Sequence, residues 1–161
     1  MKFLHPLFML GFMYWVFMQR ALGMSILKRH GRDVTGEPSV GKLMEKHRTW
    51  GWLLFAYCFA GLIAGAVLTR HLYPQITVDF GQTYGHGYIG ALGLACLLMS
   101  LVLGLSIKRV MKPKIRERFV AFHTNIVYLI AAFAILSLLT GVGVLAFGPG
   151  QAETQQIYIA P

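Results

Sequence analysis

Four long apolar runs, separated by short polar stretches, constrain this chain more than any other feature. They cover residues 3–22, 50–69, 86–107 and 119–147. Each reaches about 20 residues or more, the length a helix needs to cross a bilayer. With 56% hydrophobic and only 13% charged residues over 161 positions, the chain is too apolar for a soluble domain of its size. The expectation is an all-α membrane protein: an antiparallel four-helix transmembrane bundle formed by residues 1–150, followed by a polar tail, 151–161. The first run follows Lys2 but lacks a small-residue cleavage site and has an aromatic-rich core, so it reads as a span rather than a signal peptide. Pro6 falls in its first turn, where a missing N–H costs nothing.

The formal charge of +9 is concentrated in two places. Seven of the fifteen Lys and Arg residues lie between Arg20 and Arg48, and six between Lys108 and Arg118. A nucleic-acid-binding protein would set such charges on a soluble fold with exposed aromatics. The positive-inside rule explains them better and places both clusters on the inner side of the membrane. Four spans then leave both termini outside, in a periplasm or equivalent lumen. Residues 23–46 read as a basic loop with Gly31, Gly36, Pro38 and Gly41 as breakers. Within it, residues 36–43 nearly spell a phosphate-binding loop, but Leu43 stands where a Ser or Thr is needed and no strand precedes it. Cys58 and Cys96 form no Cys-x-x-Cys pair and read as small buried hydrophobes.

The chemistry rests on histidines. In the stretch from Tyr84 to Gly93, His86 is followed by glycines at i+4 and i+7. On a helix His86, Gly90 and Gly93 share one face. An imidazole above a strip without side chains suits a large planar ligand such as haem; equally, small residues let a neighbouring helix pack closely. Three other runs carry a histidine at a matching depth. His5 and His86 begin spans that start outside, and His47 and His123 begin spans that start inside. The four therefore form two pairs, one per membrane face, on the order of 20 Å apart at 1.5 Å per residue. That is an arrangement for two haems, each with two axial imidazoles, stacked as an electron path across the bilayer. Ionisable residues within a membrane are costly and usually functional. His30 and His71 read instead as interfacial. Two imidazoles per level without nearby Cys, Asp or Glu make a poor zinc or copper site, and no Glu-x-x-His repeat supports a di-iron centre. The spans hold no acidic residue to support a proton-driven transporter.

Four segments carry a family resemblance: residues 5–11 (His5-Pro6-Leu7-Phe8-Met9-Leu10-Gly11), Lys42-Leu43-Met44, residues 84–90 around His86, and residues 116–123 ending in His123. In these the chain resembles the cytochrome b561 family over residues 5–143. The resemblance implies four core helices, two haem b groups and electron transfer across the membrane. It implies His5 with His86 as ligands of the outer haem iron, and His47 with His123 as ligands of the inner one. Here Glu45 and Lys46 stand between the Lys42-Leu43-Met44 unit and His47, where the family has its histidine directly after that unit. The family's basic ascorbate-binding residues would correspond to Lys42 and Arg116. The donor stays open between a quinol, ascorbate and a docked redox protein. The alternative function is a structural or accessory subunit of a larger membrane redox or photosynthetic complex. On either reading the chain is expected in a bacterial inner membrane or a thylakoid-type membrane, as part of a homodimer or of a larger complex.

Overall fold

The computed structural model describes residues 4–29, 39–72 and 83–147. All three segments are helical, with no strand among the described residues. The helices are α1 (Leu4–Arg29), α2 (Val40–Leu72), α3 (His86–Ile107) and α4 (Pro113–Phe147). His30, most of the loop expected at 71–84 and the polar tail lie outside the described residues.

The helices outrun the spans, which corrects the expected loop at 23–46. Residues 23–29 continue α1, and α2 starts at Val40, well before Trp50. Charges mark where a bilayer ends, but a helix can continue into water. Lys28 and Arg29 sit in the last turn of α1, where cations complement the helix dipole. Ser39 caps α2: its hydroxyl accepts from the Lys42 backbone N–H at 3.4 Å. Likewise α4 begins at Pro113, about two turns before Phe119, with proline at its first position. The expected bounds of α3 coincide with the observed ones. It is entered through two left-handed residues, Tyr84 (φ 53°) and Gly85 (φ 73°). This turn puts His86 at the first helical position.

Each helix packs on two others: α1 on α2 and α4, and α3 on α2 and α4. The helices thus form a ring in chain order, with α1 diagonal to α3 and α2 diagonal to α4. Neighbours in the chain run in opposite directions. Gly11 and Gly23 of α1 face Tyr57 and His47 of α2, and Gly93 and Gly104 of α3 face Phe133 and His123 of α4. The α1–α2 contact is close. A Cβ on Gly61 would lie 2.7 Å from Phe8, whose ring stacks on Tyr57 with centres 3.7 Å apart.

The centre of the bundle holds Phe12, Val16, Leu54, Leu97, Ile126, Ile130 and Ala134, all buried. Outside, Leu7, Tyr14, Val67, Val102, Leu129 and Leu139 are more than half exposed. An exterior this apolar is matched to lipid rather than water. All four helices are long and apolar enough to cross a membrane, which makes this an integral membrane protein by architecture.

Candidate functional site

The diagonal helices bring four of the histidines together in two pairs. His5 of α1 and His86 of α3 have ring centres 5.8 Å apart, with planes at 84°. His47 of α2 and His123 of α4 have ring centres 6.1 Å apart, with planes at 85°. His71, at the end of α2, is exposed and apart from both pairs.

Each imidazole rests on a glycine of the neighbouring helix. A Cβ on Gly65 would lie 3.0 Å from His5 Cε1, and one on Gly141 3.0 Å from His86 Cε1. At the other level, Gly23 would meet His47 Cε1 at 3.3 Å and Gly104 would meet His123 Cε1 at 3.4 Å. The pattern is reciprocal. α1 and α2 each supply one histidine and the glycine beneath the other's, and α3 and α4 do the same.

Along every helix the histidine and the glycine are eighteen residues apart: 5 and 23, 47 and 65, 86 and 104, 123 and 141. Eighteen residues make about five whole turns and about 27 Å of rise. Both residues therefore face the bundle interior from the same side of the helix. These four glycines escaped the sequence reading. The repeated His-x17-Gly spacing is the signal that could have revealed them.

The hydrogen bonds of the rings fix which nitrogen remains free. His123 Nδ1 lies 2.9 Å from the Ser100 carbonyl oxygen, which can only accept, so Nδ1 carries the proton. Thr140 donates its hydroxyl to the Leu136 carbonyl at 2.8 Å, leaving its oxygen to accept from His86 Nδ1 at 3.2 Å. Both rings thereby keep the Nε2 lone pair for another partner. Metal-bound histidines are held in this way, by the second ring N–H. His5 has both ring nitrogens buried without a partner, and His47 has Nδ1 in that state. An unmet buried polar atom costs about 1–3 kcal/mol, so a core histidine serving packing alone would be expected to bond.

These distances have a specific chemical meaning. Two imidazoles on opposite sides of one metal, with bonds of about 2 Å and nitrogens about 1 Å from each ring centre, place those centres roughly 6 Å apart. Among the described residues no three metal-binding side chains converge. Each site therefore offers two imidazoles and no more. That set suits a metal whose remaining ligands come from a planar macrocycle, and the residues present fit a haem with two axial histidines.

The other expected residues fall around these pairs. A cavity of about 190 Å³ lies beside His5 and His86, and Gly90 and Gly93 line it. Gly90 also faces Leu62, and Gly93 faces Phe133, each at 3.4 Å from a built Cβ, so both serve helix packing as well. Lys42 and Arg116 are exposed in the first turns of α2 and α4. Arg116 is two turns before His123 and on its side of the helix. Comparison with protein-family models, curated proteins and solved structures finds no match. The functional reading therefore rests on the geometry and on the residues themselves.

Proposed function

We propose that this protein is a transmembrane electron carrier with two b-type haems, in the manner of the cytochrome b561 core. His5 and His86 would hold the outer haem, and His47 and His123 the inner one. The observation that carries the reading is the spacing of the two ring pairs, 5.8 Å and 6.1 Å, on diagonal helices. When bound, each haem supplies the one-electron chemistry of its iron. The chain's own residues ligate, orient and enclose. Thr140 and the Ser100 carbonyl orient two of the imidazoles. The four glycines clear the space behind the rings, and the apolar exterior keeps water from the interior.

Lys42, Lys46, Arg48, Arg116 and Arg118 are exposed at one end of the bundle. By the positive-inside rule this end faces the cytoplasm or its equivalent. Both termini then face a periplasm or lumen, across a bacterial inner membrane or a thylakoid. The basic end suits an anionic donor, a haem propionate or a docking protein. A quinol, ascorbate and a redox protein remain the candidate partners.

The test is the haem content of the purified protein. About two haem b per chain are expected, and folded protein that takes up none would overturn the proposal. Topology is checked separately. Reporters fused to either terminus should both be active only on the outer side, and a cytoplasmic C-terminus would sink the four-span orientation.

A further inference from the structure

We infer that Arg20 raises the reduction potential of the inner site above that of the outer one and so biases electrons inward, an inference that rests on the two-haem reading above. The shared His-x17-Gly register makes the four helices comparable position by position. Fifteen residues after its histidine, α2 has Leu62, α3 has Leu101 and α4 has Leu138. At the same position α1 has Arg20. One helix of the four thus departs from leucine, and it departs by a full positive charge.

The structure holds that charge in place. Arg20 Nη2 donates to the Tyr128 hydroxyl of α4 at 2.6 Å, and the guanidinium carbon lies 5.0 Å from the centre of the Tyr128 ring. Its Nε is buried without a partner. Arg20 stands one turn from Gly23, the glycine beneath His47. The preceding residue, Gln19, donates its side-chain amide to the His47 carbonyl. Arg20 is thus held by Tyr128, five residues after His123 on α4, while its neighbour Gln19 holds the backbone of His47. The outer pair has Leu62 and Leu138 at the matching positions.

A half-buried guanidinium in an apolar bundle is weakly screened. It disfavours the extra positive charge of ferric iron and favours the ferrous state. The exposed cations at the bundle ends, Arg70 outside and Lys42, Lys46, Arg48, Arg116 and Arg118 inside, are screened by water and contribute less. The process is a one-electron exchange: the outer iron is oxidised by one electron as the inner iron is reduced by it, with no proton required.

The experiment is an equilibrium redox titration of the purified haem-loaded protein, following the visible bands. It compares wild type with Arg20→Leu, Arg20→Gln and Arg20→Lys, and repeats the series in a His86→Ala background, where the inner haem alone remains. Arg20→Leu and Arg20→Gln should lower the inner reduction equilibrium about tenfold, about 59 mV for one electron, and leave the outer one in place. Arg20→Lys keeps the charge and should retain most of the wild-type value. Should Arg20→Leu load poorly, the Gln and Lys variants carry the comparison. Unchanged inner potentials in loaded Leu or Gln variants would overturn the inference. So would an equal fall in Arg20→Lys, or loss of the inner haem in all three, which would make Arg20 a structural tie. Wild-type protein without haem would instead refute the two-haem reading.

Discussion

Replacing His86 with alanine should halve the haem content, from two per chain to one. Alanine offers no donor, and the outer level then retains only His5, which has no hydrogen-bond partner to hold its ring. The inner pair should keep its haem and its spectrum. About five helical turns, roughly 27 Å of rise, separate the two levels, and effects at that distance are usually independent. His5→Ala should give the same result. His47→Ala and His123→Ala should remove the inner haem instead. Haem-to-chain ratios and reduced-minus-oxidised spectra read all four variants. Two intact haems in His86→Ala would dissolve the proposed pairing.

The second large effect concerns the glycines beneath the imidazoles. Gly141→Leu should abolish haem binding at the outer level and leave the inner level loaded. Even the Cβ of alanine would lie 3.0 Å from His86 Cε1, so the ring must give way by a few tenths of an ångström. Overpacking of this kind costs about 1–3 kcal/mol, against about 1 kcal/mol gained in helix propensity when alanine replaces glycine. The steric term wins, and Gly141→Ala should weaken haem retention. Gly143→Ala, two residues further on, meets nothing within 4 Å and should be neutral or mildly stabilising. Gly104→Ala, with 3.4 Å to His123, should be the better tolerated of the two glycine-to-alanine changes at imidazoles. Haem retention during size-exclusion chromatography ranks them. Equal retention in Gly141→Leu and wild type would remove the steric role of Gly141.

Much of this architecture is legible in the residues because membranes restrict the options. Apolar length marks the four helices, and the basic residues Lys42, Lys46, Arg48, Arg116 and Arg118 gather at one end of the bundle. Histidines are rare enough in apolar runs that four at matched depths stand out. The diagonal pairing follows from alternating helix direction, since histidines entering from the same side belong to helices one and three, or two and four. What stayed hidden is tertiary. Gly90 and Gly93 stand out in the sequence because they follow His86 on its own helix. The glycine that His86 touches is Gly141, on α4. Nothing local to His86 points to residue 141; only the comparison of four helices at an eighteen-residue spacing does. Arg20 was hidden for a different reason. A charge at the end of an apolar run reads as the membrane boundary. Here α1 continues nine residues further, and the guanidinium turns to Tyr128 on α4, which neighbours α1 in the ring.

The most direct measurement is the haem-to-chain ratio of two double variants beside the wild type. His5→Ala with His86→Ala removes both ligands of one level and should leave one haem per chain. His86→Ala with His123→Ala removes one ligand from each level and should leave none. Wild type should carry two. A ratio of two, one and zero is the result expected of paired axial histidines on diagonal helices. Haem-free wild type, or the same ratio in both double variants, would contradict it.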